Sequence, residues 1–233
     1  MRHKGTNKNR NSPTIFLEKC NILHKKRKSV QGKTQIEDSM IPVRLAILAS
    51  GSGSNAENII RFFSKEKRVT IGLILSNRPE AQVHQRAHRL GVPSMTLSRE
   101  TLTDGLALSK ILQNERIDFI VLAGYLVKIP PELIAAFPNR IMNIHPALLP
   151  KYGGKGMYGN HVHQAVVDAK EVETGVSIHL VNENYDEGSI VFQAKCPVFP
   201  EDSADQVAAR IHELEYRHYP EVIGKWLEKE FKW

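Results

Sequence analysis

The chain has 233 residues, 41% of them hydrophobic and 24% charged, with a formal net charge of +7. That length suits one large domain or a domain plus a tail; no apolar run approaches the roughly 18 residues a membrane helix needs, and Glu18, Lys19 and Asn21 interrupt the only stretch near the N-terminus that could serve as a secretory core. Two cysteines, Cys20 and Cys196, form neither a metal pattern nor a disulfide framework, so the chain is expected to be cytoplasmic and free of membrane partners.

The positive charge is unevenly placed. Residues 1–41 hold ten Lys/Arg against three acids, which leaves 22 of each sign in residues 42–233. The first 41 residues lack periodicity, are rich in Lys, Asn, Ser and Thr, and read as a basic, disordered extension. Three uses of it stay open: a dispensable extension with Met40 available as a start, a targeting or nucleic-acid arm, and a folded regulatory piece. Residues 42–233 read as a single domain, and their balanced charge shows no footprint for nucleic acid.

From residue 42 the pattern becomes regular. VRLAILAS is a continuous apolar run of the kind that forms strands covered on both faces. GSGSN follows, then AENIIRFFSKEK at helical spacing. VTIGLIL is a second strand, leading through SNRPEA into a helix that ends at Gly91, and VPSMTL is a third. LTDGLALSKILQNERI is amphipathic, DFIVLAG is a fourth strand, PPELIAAF a short helix opened by proline, and RIMNIH a fifth strand. NHVHQAVVDAK is helical. GVSIHLV and SIVFQAKCPV are strands separated by NENYDEG and are expected to pair as a hairpin. The stretch 203–230 is a terminal helix expected to break at Pro220. The alternation predicts an α/β fold: a doubly wound, mostly parallel, Rossmann-like sheet of about seven strands flanked by helices.

In such a sheet ligands bind beyond the carboxyl ends of the strands. The first strand runs into Gly51, Ser52, Gly53, Ser54 and Asn55 just before a helix, an arrangement suited to an anion but equally to a tight turn with a helix cap. The loop is neither GxGxxG nor GxxxxGK[ST]. The second strand closes in Ser76-Asn77-Arg78 without an acid, which disfavours a dinucleotide. Asn143 and His145, two apart on the fifth strand, share a face and are followed at once by Pro146. Ser177, His179 and Val181 share a face of a later strand, and Asp186 sits in the turn after it, where a carboxylate could organise an imidazole. His161 and His163 do not share a helical face, so no metal is expected.

Taken together, ASGSGSN, NIHPALLPKYGG and GVSIHLVNENYDEGSIVFQAKCPV resemble the folate-dependent phosphoribosylglycinamide formyltransferases, over residues 43–225. The resemblance implies the formyltransferase fold, 10-formyltetrahydrofolate as formyl donor and glycinamide ribonucleotide as acceptor. It implies Asn143, His145 and Asp186 as the catalytic trio, with His145 as an imidazolium kept charged by Asp186. It implies Gly51, Ser52, Gly53, Ser54 and Asn55 around the ribonucleotide phosphate, and Glu215 against the amine. The folate pteridine would lie against Tyr125, Leu126, Val127, Ile129, Val181 and Tyr185. Val127 stands where the family often has a basic residue, with Lys128 one place on, and TLTDG lacks a second basic position; GGKGMYGN is longer than the usual connection, and its Lys155 is expected to be solvated.

Two related activities share the same core. A formyltetrahydrofolate hydrolase carries a regulatory domain before it and an initiator-tRNA formyltransferase a barrel after it, and the short polar extension and the early end of this chain fit neither. A non-catalytic phosphosugar module needs only GSGSN and leaves Asn143, His145 and Asp186 without a purpose. The expected partners are therefore small molecules, in a monomer or homodimer.

Overall fold

A computed structural model describes residues 41–232; the expectations for residues 1–40 lie outside the described residues. Strands β1 (Val43–Leu48), β2 (Val69–Ser76), β3 (Ser94–Thr96), β4 (Phe119–Leu122), β5 (Ile141–His145), β6 (Glu173–Leu180) and β7 (Ile190–Pro197) form one sheet, in the order β3-β2-β1-β4-β5-β6-β7. The first five run parallel, β6 pairs antiparallel with β5, and β7 antiparallel with β6, so that only β6 opposes the rest.

Both faces of the sheet are covered, which is why its central strands are apolar along most of their length, β4 at every position. Leu45 and Ile47 of β1 pack on one side with α1 (Ser54–Phe63), α2 (Gln82–Arg89), α6 (Asn160–Asp168) and α7 (Ala204–Phe231). Ala46 and Leu48 point to the other side, onto α3 (Arg99–Thr103), α4 (Gly105–Asn114) and α5 (Pro131–Ala136). The alternation follows from the period-two geometry of a strand.

Two local expectations are corrected. The amphipathic stretch beginning at Leu102 is not one helix: α3 ends at Thr103, and the Asp104 carboxylate caps α4 by accepting from the N–H groups of Leu106 and Ala107 at 3.1 and 3.0 Å. Nor does the last helix break at Pro220, since α7 runs for 28 residues through it. A proline leaves the carbonyl four residues earlier without its helical donor. Here that carbonyl belongs to Tyr216, and the side-chain amide of Asn58 in α1 donates to it at 2.7 Å. The pair β6/β7 forms the expected hairpin-like extension.

The strand order reverses between β1 and β4, so the crevice beyond their carboxyl ends is where a doubly wound sheet binds ligands. Ser50, just past β1, ties the two connecting loops together. Its N–H donates to the Gly124 carbonyl at 3.0 Å, and its hydroxyl accepts from the Leu126 N–H at 2.9 Å.

Candidate active site

A cavity of about 570 Å³ opens at this crevice. Every residue that the resemblance assigns to the site lines it: Gly51–Asn55 on one wall, Tyr125, Leu126, Val127 and Ile129 with Val181 and Tyr185 on another, Asn143, His145 and Asp186 between them, and Glu215 from α7. The apolar wall and a few convergent polar groups are the usual make-up of a small-molecule site.

His145 is 3% exposed and is held at both ring nitrogens. Nε2 lies 2.7 Å from the Tyr152 carbonyl, which can only accept, so Nε2 carries a proton. Nδ1 lies 3.5 Å from Oδ2 of Asp186. Burial lowers the His145 pKa, and the charge of Asp186 and the bond to Tyr152 only partly offset it. Burial thus opposes the charged ring that the resemblance implies, while Asp186 and the Tyr152 carbonyl favour it.

Asp186 has a left-handed backbone (φ 57°) that turns its carboxylate into the cavity. Burial acts against its ionisation, yet the contact with His179, the positive charge of His145 when that ring is protonated, and the Gly154 N–H, which donates to Oδ2 at 2.9 Å, together hold its pKa below the ordinary range. The carboxylate joins three chain segments: the end of β5, the partner strand β6 and the glycine loop after Tyr152.

Sequence pattern marks His179 only by its strand face. It is 2% exposed and stands opposite Asn143 in the antiparallel pairing of β5 with β6. Its Nδ1 donates to the Leu180 carbonyl at 2.9 Å, and its Nε2 lies 3.1 Å from the Asn143 amide nitrogen. An amide nitrogen carries two hydrogens, so one N–H of Asn143 is left for the cavity. The same Nε2 is 3.6 Å from Asp186. Period two alone could place His179 beside Ser177; only the register of β5 against β6 puts it against Asn143.

The glycine loop at the head of α1 has Gly53 as N-cap in the left-handed region (φ 72°), which favours glycine. A Cβ there would also come within 2.5 Å of Val83. The Asn55 side chain does not serve this loop. Its Nδ2 donates to Glu215 at 2.9 Å, and its buried Oδ1 has no partner among the described residues. Glu215, 6% exposed, also meets Nδ1 of His212 at 2.9 Å, and that contact raises the His212 pKa. His212 is a further residue the sequence did not single out; His163, weighed there only as half of a metal pair, lines the cavity, is 3% exposed and has no partner for Nδ1 among the described residues. His161, two residues earlier, is exposed, as helical geometry requires of a residue on another face.

On the apolar wall the Tyr125 hydroxyl is buried without a partner among the described residues, and burial pushes its pKa upward. Lys128 stands over the Tyr185 ring at 5.5 Å and bridges the mouth of this wall. Residues Gly154–Gly159 form the rim, with Lys155 exposed. Among the described residues no group of three or more His, Cys, Asp or Glu is arranged to hold a metal ion, and no helix is long and apolar enough to cross a membrane.

Residues 43–223 match the formyl transferase family. The chain is 40% identical over 188 residues to a phosphoribosylglycinamide formyltransferase of Haemophilus influenzae, covering 78% of this chain and 86% of that protein. It is 39% identical over 196 residues to the chloroplastic phosphoribosylglycinamide formyltransferase of Arabidopsis thaliana, covering 82% of this chain and 67% of the relative. Among solved structures, phosphoribosylglycinamide formyltransferase from Bacillus halodurans superimposes with a TM-score of 0.72 at 35% identity, covering 80% of this chain and 96% of that one.

Proposed function

The chain belongs to the formyl transferase family and formylates glycinamide ribonucleotide in purine biosynthesis; from this premise we propose that Asn143, His145 and Asp186 carry out the transfer. The observation that supports these roles is their convergence in one cavity, with His145 Nδ1 3.5 Å from Asp186 and the Asn143 amide 3.1 Å from His179.

The amine nitrogen of the ribonucleotide attacks the formyl carbon of 10-formyltetrahydrofolate, and the carbonyl electrons move onto oxygen. Asn143 donates one N–H to that oxyanion. His145 donates Nε2–H, which passes from the Tyr152 carbonyl to the substrate oxygen. Burial disfavours the imidazolium in the free protein, but a negative oxygen beside the ring favours it. The charged ring is thereby matched to the transition state more than to the ground state. Asp186, ionised and anchored by the Gly154 N–H, organises removal of the proton from the attacking amine. The proton that leaves the amine is passed on to N10 of the folate, the oxyanion electrons re-form the carbonyl as the bond from carbon to N10 breaks, and formylglycinamide ribonucleotide and tetrahydrofolate leave.

The N–H groups of the Gly51–Asn55 loop receive the 5′-phosphate, with Asn55 contributing its backbone only, because its side chain is committed to Glu215. Glu215 meets the amine end of the acceptor. The pteridine takes the apolar wall of Tyr125, Leu126, Val127, Ile129, Val181 and Tyr185, where the unpartnered Tyr125 hydroxyl suits a polar edge of the ring system.

Residues 42–233 act as a single catalytic domain in the cytoplasm, as a monomer or homodimer with small-molecule partners and no nucleic acid. Their balanced charge supports this. Purified protein given 10-formyltetrahydrofolate with and without glycinamide ribonucleotide tests the activity. Turnover that requires the ribonucleotide is expected, whereas formate release without it would indicate a hydrolase. His145→Ala is expected to lose at least about 10²–10³ in kcat while ribonucleotide binding by calorimetry survives; near-normal turnover would refute the assignment.

A further inference from the structure

We propose that Arg86 of α2 is a positioning residue for the glycine loop, setting the direction of two consecutive loop N–H groups without touching the substrate. The proposal rests on the reading of Gly51–Asn55 as the phosphate cradle.

Two successive loop carbonyls are anchored to α2. The Gly51 carbonyl accepts from the Val83 N–H at 3.3 Å, and the Ser52 carbonyl accepts from Nε of Arg86 at 2.7 Å. Across a trans peptide the C=O and the following N–H point in opposite directions. Anchoring these two oxygens to α2 therefore turns the N–H groups of Ser52 and Gly53 away from it. Neither N–H donates to another protein group among the described residues. The cavity is lined by Gly51–Asn55 and by no residue of α2, so α2 stands behind the loop. Two adjacent N–H groups facing one way form an anion nest.

Arg86 is itself held in place. Its Nη1 pairs with Glu57, in the first turn of α1, and Glu57 is shared with Arg61 at 2.7 Å and Arg89 at 2.9 Å. The hydrogen bonds from Arg61 and Arg86 hold the Glu57 carboxyl at about 2, so the acceptor is ionised at any working pH. The guanidinium thus spans two fixed points, the Ser52 carbonyl through Nε and Glu57 through Nη1. A lysine ammonium keeps the charge but has no rigid fork to span both.

The test compares glycinamide ribonucleotide with its 5′-dephosphorylated riboside as acceptors for the full chain. In Arg86→Met the preference for the phosphorylated acceptor, as a ratio of kcat/KM values, is expected to fall about tenfold or more, the size expected for a lost charge-assisted hydrogen bond. The loss should appear in KM for the ribonucleotide rather than in kcat. Arg86→Lys is expected to recover only part of it, and it provides a folded variant should Arg86→Met fail to fold. An unchanged preference, an equal loss on both acceptors, or full recovery by lysine would overturn the proposal, the last by assigning the effect to charge alone. Absence of any preference in the unaltered chain would refute the phosphate reading itself, a result distinct from failure at Arg86.

Discussion

Asn55 and Glu215, 160 positions apart in the chain, meet at the cavity wall, where the Asn55 amide donates a 2.9 Å hydrogen bond to the Glu215 carboxylate. The first turn of α1 is thereby tied to the middle of α7, and the loop proposed for the phosphate to the carboxylate proposed for the amine. Glu215→Gln removes the charge while keeping the shape. It is expected to lower kcat/KM for the ribonucleotide by about 10- to 100-fold, as for loss of a charged hydrogen bond, and to leave KM for the folate unchanged. Steady-state kinetics with each substrate varied in turn checks this; an equal rise in both KM values would remove Glu215 from the acceptor site.

The pair His145 and Asp186 makes a prediction about protons. Both pKa values are lowered in the folded chain, so both groups bind fewer protons there than when unfolded. Their contribution to stability is present above the unfolded values and is lost as pH falls, first below about 6.5 at His145 and then below about 3.9 at Asp186. Asp186→Asn deletes the charge that favours the imidazolium, so the His145 ring should titrate at still lower pH. Proton NMR of its ring hydrogens would follow this, and a higher midpoint in the variant would contradict the stated electrostatics.

Gly53→Ala should injure the phosphate loop twice over, through the left-handed φ of 72° and through a contact of 2.5 Å with Val83. A non-glycine residue in that conformation costs about 1–2 kcal/mol, and α2 must also retreat. The expected outcome is a lower melting temperature together with weakened ribonucleotide binding. Calorimetric binding equal to that of the unaltered chain would show that the loop geometry is not needed.

Tyr219 is fully buried, and its hydroxyl lies 2.9 Å from the Leu122 carbonyl and 3.0 Å from that of Met142. It braces the carboxyl end of β4 against β5, immediately before Asn143. Tyr219→Phe removes that donor and is expected to cost about 1–3 kcal/mol, read from denaturant unfolding, with a smaller fall in kcat. No change in the midpoint of unfolding would show that the two carbonyls find other donors.

Local pattern carried the architecture. The apolar runs VRLAILAS and DFIVLAG announce strands buried on both faces because a strand between two helical layers has no solvent side. Asn143 and His145 stand out because such a strand has little reason to end in two polar groups. What could not be read locally was decided by contacts between distant segments. The break expected at Pro220 does not occur, because Asn58, on another helix, supplies the hydrogen bond that proline forfeits. His179 becomes part of the site only through the antiparallel register that sets it against Asn143.

The sequence by itself determined the alternation of strands and helices, the glycine loop and the identities of the groups that gather at the carboxyl edge, because these depend on period, propensity and side-chain type. Only the tertiary structure decided the burial of His145, the commitment of Asn55 to Glu215 and the bracing of the loop by Arg86. Those depend on burial and on distances across the cavity, and desolvation and hydrogen-bond geometry exist only once the chain has folded.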